Sequence, residues 1–182
     1  YTRARSDARP NTTTEERIEN VKSWIDTGLK GAKGFLTGDI EAGVAELDGL
    51  MAGAGSLEQW MVDTLWMCSY ESAELGKLEY GKRNVRFFEC PLQPEDLIGH
   101  QDLVAKPGAP IALGEHFRSR YQMEAGAQQP RALDGYQPYI GRTGFTDHTN
   151  TMELAARAGL LTTPHLGTGV SVVQAAQSHA AP

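Results

Sequence analysis

The sequence is short of cysteine, of clustered basic residues and of long apolar runs. It has only two cysteines, Cys68 and Cys90, in 182 residues, so a disulfide framework does not hold this fold together and we expect a reducing, cytoplasmic setting. The 17 Lys and Arg against 23 Asp and Glu give a net charge of −6. Because no stretch concentrates the basic residues, we expect neither nucleic acid nor an anionic membrane as a partner.

The apolar runs are too short to cross a membrane. The longest, such as residues 109–113, fall far below the roughly 18 residues that a bilayer span requires. The first residues contain no apolar signal core and the chain does not begin with Met, so we expect a processed or partial chain. With 40% hydrophobic residues, the composition predicts a globular unit, and its length predicts a single domain.

Short β-type runs alternate with longer helical patterns, which predicts an α/β fold with a parallel sheet built from βα units. The predicted strands are residues 1–4, 31–36, 59–63, 84–88, 110–113, 133–137 and 160–163. The predicted helices are residues 12–28, 39–53, 69–80, 94–106, 146–158 and 171–179, whereas residues 122–131 fit a poor helix or a loop. This pattern amounts to about seven βα units.

Polar residues recur at the carboxyl ends of the predicted strands. They are Lys33, Asp63, Glu89, Glu115, Tyr139 and His165, and from Asp63 onward each step is 24 or 26 residues, the length of one βα unit. In a parallel barrel this step brings all of the side chains to the mouth where such enzymes keep their active sites. Three converging carboxylates would repel one another without a cation, so the pattern favours Mg²⁺. For any single acid, a helix N-cap or a surface carboxylate is the alternative.

Five segments around these positions carry a specific resemblance. They are residues 61–63, 87–92, 110–118, 137–144 and 163–169. Together they resemble the enolase superfamily, and within it the sugar acid dehydratases that are similar to mandelate racemase and muconate lactonizing enzyme. The resemblance implies that residues 1–182 form a C-terminal TIM-type (β/α) barrel domain with about seven βα units, without the last strand and without the N-terminal capping domain.

The resemblance also implies a reaction and its machinery. Asp63, Glu89 and Glu115 would hold Mg²⁺, and Lys33 and His165 would be bases on opposite sides of the substrate carbon. The implied activity is a magnesium-dependent lyase that dehydrates an aldonate-type sugar acid through an enediolate formed by loss of the proton next to the carboxylate. A small carboxylate substrate and a homo-oligomeric assembly follow from the same resemblance.

Other residues near the predicted mouth are candidates for substrate binding. They are His116, Arg118, Tyr139 and Trp66. Each catalytic candidate also has an ordinary alternative: Lys33 a solvated surface cation, and His165 a helix-cap or core histidine. We expect His100 and His148, on predicted helices, to lie at the surface.

Four positions depart from the family pattern. Phe35 stands where a second basic residue is usual, Tyr139 replaces the acid that orients the histidine, Leu65 replaces an asparagine, and Cys90 replaces a glutamate. Two alternatives stay open: the losses at Phe35 and Tyr139 disfavour racemisation, and the departures as a set motivate a homologue without turnover. One is a racemase, epimerase or cycloisomerase of the same superfamily, and the other is a degenerate homologue that binds metal or ligand without turnover.

Overall fold

The computed structural model describes residues 13–55, 57–167 and 171–180, which form two compact units. The first unit comprises Tyr1–Gln93 and Lys106–Pro110, and the second comprises Pro94–Ala105 and Ile111–Pro182. The strand predicted at residues 1–4 lies outside the described residues.

The first unit alternates helices and strands as the sequence predicts. Its elements are α1 (Thr14–Asp26), β1 (Gly31–Phe35), α2 (Ile40–Ala54), β2 (Gln59–Asp63), α3 (Tyr70–Lys82) and β3 (Phe88–Glu89). β2 pairs in parallel with both β1 and β3, and Asp63 lies opposite Phe35 on one side and Glu89 on the other. The register therefore places the two acids side by side at the carboxyl ends of adjacent strands.

Side-chain caps fix where the helices of the first unit begin. Thr13 and Glu16 form a capping box, in which the Thr13 hydroxyl accepts from the Glu16 amide and the Glu16 carboxylate accepts from the Thr13 amide. Asp39 accepts from the Ala42 amide at 3.2 Å and so caps α2. Each cap satisfies amides that the first helical turn leaves unpaired.

The core of the first unit lies between its helices and its sheet. Tyr80 of α3 packs edge-on against Phe88 of β3, with ring centroids 5.0 Å apart. Gly76 permits this approach, because a Cβ there would lie 3.0 Å from the Phe88 ring. Trp60 is buried. The apolar contact anchors β3, and with it Glu89, to the helix layer.

The second unit repeats the same alternation. Its elements are α4 (Leu97–Ala105), β4 (Ile111–Leu113), α5 (Arg120–Ala127), β5 (Gly135–Tyr136), α6 (Ile140–Arg157), β6 (Leu161–Thr162) and α7 (Ser171–Ala180). β5 pairs in parallel with both β4 and β6. The sequence pattern of residues 122–131 fits a poor helix or a loop, and the structure has helix α5 over the first part of this segment. α6 begins earlier than predicted and breaks at Gly144, where φ is 69°. Among the described residues, no helix combines the length and apolar character needed to cross a bilayer.

The surface placement predicted for His100 and His148 is wrong. His100 is 0% exposed and His148 1%. Both lie on the buried stripe of their helices, since His100 precedes the buried Leu103 by three residues and His148 precedes the buried Thr151 by three. Burial lowers the pKa of both imidazoles, which keeps them neutral and reduces the cost of burying them.

Candidate active site

In the first unit, Lys33 bridges two buried carboxylates. Its Nζ donates to Oδ2 of Asp63 at 2.9 Å and to Oε1 of Glu89 at 2.7 Å. Asp63 and Glu89, here called the carboxylate pair, are both buried, and most of the Lys33 side chain is buried with them. The structure thus brings together three of the residues predicted from the strand ends.

The charges of this cluster depend on one another. Burial alone would lower the pKa of Lys33, but the negative charges of Glu89 and Asp63 outweigh it and hold that pKa above its usual value. Burial and the neighbouring Glu89 raise the pKa of Asp63, and the Lys33 ammonium opposes the rise. Lys33 is therefore a firmly protonated counter-charge, and the solvated surface lysine considered as its alternative does not describe it.

The Phe35 ring adds an aromatic contact to the cluster. Nζ of Lys33 lies 4.9 Å from its centroid, within the range of a cation–π interaction. The sequence flagged Phe35 only as a missing basic residue. In the structure, its ring lies beside the lysine head group.

The loop that follows β2 holds the Asp63 carboxylate in place through its backbone, and the loops after β2 and β3 both contain strained residues. The amide of Leu65 donates to Oδ1 of Asp63 at 2.9 Å, so both oxygens of that carboxylate are held. Leu65, Trp66 and Cys90 have φ of 49°, 59° and 49°, the left-handed region that non-glycine residues seldom adopt. Such strain is typical of functional sites, where the surrounding structure enforces it.

Parallel hydrogen bonds continue past the ends of these two strands. The amides of Thr64 and Trp66 donate to the carbonyls of Glu89 and Cys90 at 3.3 and 2.8 Å, and the amide of Cys68 donates to Pro91 at 3.2 Å. We call this set the loop ladder. It ties the segment after Asp63 to the segment after Glu89.

In the second unit, Glu115 lies between two imidazoles. Its Oε2 is 2.8 Å from Nδ1 of His165, and its Oε1 is 3.1 Å from Nε2 of His116. The ring of His165 also meets the ring of Tyr139 edge-on, with centroids 5.5 Å apart. The structure therefore brings together four of the predicted residues of this unit, and His165 has a carboxylate partner although Tyr139 replaces the usual acid.

The environment of His116 favours its neutral form. Burial lowers the pKa of His116, and the positive charge of Arg142 lowers it further, against the opposing effect of Glu115. A neutral imidazole can donate from one ring nitrogen and accept at the other, which suits contact with a hydroxyl group.

Two predicted substrate-binding residues stand apart from these clusters. The side chain of Arg118 is exposed, and its amide donates to Oε1 of Gln122 at 2.6 Å. Trp66 is half-buried within the loop ladder, and its carbonyl accepts from the Gln93 side chain at 3.2 Å. Neither position tests the role in substrate binding, which stays a prediction for both residues.

Sequence reasoning passed over one buried polar residue. Gln137 directly follows β5 and is 3% exposed, and its Oε1 has no hydrogen-bond partner among the described residues. An unpaired buried acceptor costs free energy and is often found where a ligand supplies the missing donor. Its position as the last residue of the predicted strand 133–137 was the available signal.

Comparison with known proteins identifies the family. The model of the enolase C-terminal domain-like family matches residues 16–182. The chain belongs to this family. The prediction of an enolase-superfamily barrel domain similar to mandelate racemase is thus confirmed at the level of family and fold.

Individual members of the enolase superfamily show how far the likeness extends. D-galactarolactone cycloisomerase of Agrobacterium fabrum is 35% identical over 99 residues, covering 53% of this chain and 26% of that protein. A crystal structure of an enolase superfamily member from Agrobacterium tumefaciens matches with a TM-score of 0.87 and 27% identity over 96% of this chain and 45% of the other.

L-talarate dehydratase of Polaromonas sp. JS666, whose crystal structure contains Mg and L-glucarate, shares the fold. It matches with a TM-score of 0.81 and 22% identity, covering 97% of this chain and 51% of that chain. The chain therefore spans about half the length of these solved relatives.

Proposed function

We propose that the protein is a magnesium-dependent lyase that dehydrates an aldonate-type sugar acid by removing the proton next to its carboxylate. The observation that carries the proposal is the buried carboxylate pair at the ends of adjacent parallel strands, bridged by Lys33. Carboxylate oxygens are the ligands that Mg²⁺ prefers, so this donor set fits the ion. A relative of the same fold named as a dehydratase supports the reaction class.

The proposed ligands of the ion are Asp63, Glu89 and Glu115. When bound, the ion would engage the substrate carboxylate and make the neighbouring C–H more acidic. The protein's own contribution is to keep the ligands ionised and oriented. Lys33 balances the charge of Asp63 and Glu89, and the Leu65 amide fixes the second oxygen of Asp63.

We assign proton transfer to His165. The Lys33 ammonium donates to two carboxylates and has a raised pKa, so it carries no lone pair with which to take a proton. An imidazole can accept a proton near neutral pH, and Glu115 stabilises the imidazolium that results. The imidazolium then returns the proton to the hydroxyl on the next carbon, which leaves as water. The enol that remains becomes a 2-keto acid.

The substrate's polar groups would be bound by side chains of the second unit. We assign recognition of the substrate's hydroxyl groups to the neutral His116 and to Arg118. Tyr139 and Trp66 remain candidates to line the pocket. The homo-oligomeric state and the cytoplasmic location belong to the same proposal.

A cycloisomerase is the second candidate, because the curated relative with 35% identity is a D-galactarolactone cycloisomerase. The name of that relative gives a sugar-acid lactone as its substrate. The two candidate functions therefore differ in whether an open-chain acid or a lactone is converted.

A screen of acid sugars and sugar lactones separates the two functions. With Mg²⁺ present, the lyase forms a 2-keto product from an open-chain aldonate, and EDTA abolishes the product. Turnover of lactones alone would favour the cycloisomerase. Exchange of the α-hydrogen with solvent deuterium, without net conversion, would instead indicate a racemase or an epimerase.

The metal ligands are tested by direct binding. Glu89→Gln is expected to lose Mg²⁺ affinity measured by calorimetry, because it removes a charged ligand. The matched control is Glu58→Gln, an exposed glutamate that pairs with the exposed Lys30. Equal Mg²⁺ affinity in the two variants would refute the proposed ligand set.

A further inference from the structure

The imidazole of His165 is contacted on two sides within the second unit. Nδ1 lies 2.8 Å from the Glu115 carboxylate, and the ring meets Tyr139 edge-on at an interplanar angle of 75°. An edge-to-face aromatic contact of this kind stabilises the pair beyond the area that it buries. The ring of Tyr139 makes this contact, at the position where the family usually has the acid that orients the histidine.

The backbone brings the two rings together. The His165 amide donates to the carbonyl of Pro138 at 2.9 Å, which places residue 139 beside residue 165. The Tyr139 carbonyl accepts from the Arg142 amide at 2.9 Å in the first turn of α6, so the start of that helix fixes the Tyr139 main chain.

Two glycines leave room for the Tyr139 ring. A Cβ at Gly141 would lie 2.8 Å from Cζ of Tyr139, and a Cβ at Gly167 would lie 3.3 Å from both Cζ of Tyr139 and Nε2 of His165. The main chain at both glycines therefore lies close to the tyrosine ring. A ring so enclosed has few alternative rotamers and is a rigid support for the imidazole.

We propose that Tyr139 is a positioning residue that holds the His165 imidazole through its ring rather than through its hydroxyl. The inference rests on the proposed role of His165 in proton transfer. The Tyr139 ring keeps Nδ1 on Glu115 and thereby presents Nε2 as the nitrogen that takes the proton. Without the ring, the imidazole rotates and both tautomers become populated.

The test compares Tyr139→Phe with Tyr139→Leu in the full protein, with Tyr121→Leu as the control because that tyrosine is 64% exposed on α5. The first readout is the ¹⁵N spectrum of the His165 ring at one mildly alkaline pH, which reports the tautomer. The second is the separation of kcat from KM. We expect the leucine variant to lose the single Nδ1–H tautomer and about 10- to 100-fold of kcat with little change in KM. The phenylalanine variant should keep the tautomer and lose far less of kcat.

Two results would overturn the proposal. One is a leucine variant that keeps the Nδ1–H tautomer, and the other is a phenylalanine variant that loses it as fully as leucine does, because the hydroxyl would then be responsible. If Tyr139→Leu does not fold, Gly167→Val introduces a side chain against both rings and should also mix the tautomers, and an unchanged spectrum there would overturn the proposal too. The spectrum requires no turnover, so failure to find a substrate would count against the proposed function alone.

Discussion

Replacing Lys33 with methionine should destabilise the protein more than any exposed lysine substitution. Methionine keeps the length and the apolar stem of lysine but removes the ammonium that Asp63 and Glu89 share. The carboxylate pair then stays buried without its counter-charge. Burying an unpaired charge is among the most costly changes that a folded protein can undergo.

The magnitude follows from the distances. At 2.9 and 2.7 Å, and with an effective dielectric constant of about 20, the attraction of the ammonium to each carboxylate is about 6 kcal/mol before desolvation is counted. Much of that gross attraction offsets the cost of burying the charges. Removing one partner of a buried pair costs about 3–5 kcal/mol in measured cases, and we expect a loss in that range at neutral pH.

The loss should depend on pH. Burial and Glu89 already raise the pKa of Asp63, and removing Lys33 raises it further. A carboxyl group with a raised folded-state pKa destabilises the fold above that pKa and ceases to do so as the pH falls through it toward the unfolded value of about 3.9. Since the pKa of Asp63 is about 7 with Lys33 present, the deficit of Lys33→Met should grow as the pH rises through neutrality and should shrink toward pH 5.

Urea unfolding in EDTA, at mildly alkaline pH, at neutral pH and at pH 5, measures the effect. The control is Lys30→Met, three residues earlier, whose partner Glu58 is as exposed as Lys30 itself and whose loss should cost about 0–1 kcal/mol. If Lys33→Met costs no more than Lys30→Met, or if its deficit does not shrink on acidification, the reasoning about the buried cluster is wrong.

Three further predictions concern stability alone. Leu65→Asn should raise the urea midpoint by the equivalent of about 0.5–1 kcal/mol, since asparagine tolerates a φ of 49° better than leucine, and an unchanged midpoint would contradict strain there. In α2, Gly53→Ala should destabilise the protein by about 1–3 kcal/mol because its Cβ would overlap Ile18. Gly49→Ala, whose Cβ meets only ordinary contacts, should stabilise it by about 0.5–1 kcal/mol. If Gly53→Ala is no less stable than Gly49→Ala, the packing described for Gly53 is wrong. The lowered pKa of His148 means that the unfolded state binds more protons below about pH 6.5, so wild-type stability should fall there, and His148→Gln should show a smaller fall between pH 7 and 5.5.

Spacing along the sequence located the strand-end residues well. The positions of Lys33, Asp63 and Glu89 could be predicted because each follows or lies within a short apolar run, and a parallel register turns such positions into neighbours. The caps at Thr13 and Asp39 can also be predicted from the sequence, since capping is a local interaction between residues three apart.

Interactions between residues that are distant in the sequence could not be predicted from it. That Lys33 is paired, and that Phe35 is its aromatic neighbour, depends on side-chain directions that residue types do not reveal. His100 and His148 were misplaced because a polar residue on a helix suggests solvent, although their spacing to buried neighbours pointed the other way. The positive φ of Cys90 had no sequence signal, because neither glycine nor asparagine marks it.

The loop ladder has a consequence for how this site can be altered. Three backbone hydrogen bonds join residues 64–68 to residues 89–91, so the two loops form one unit that can be exchanged between related proteins only as a whole. An insertion or a graft in one loop would break the hydrogen bonds that join it to the other loop. The Asp63 and Glu89 carboxylates, which precede the two loops, would then no longer be held in their relative positions. Anyone recombining this domain with a relative should therefore transfer both segments together, and libraries that vary one loop should be expected to yield mostly inactive members.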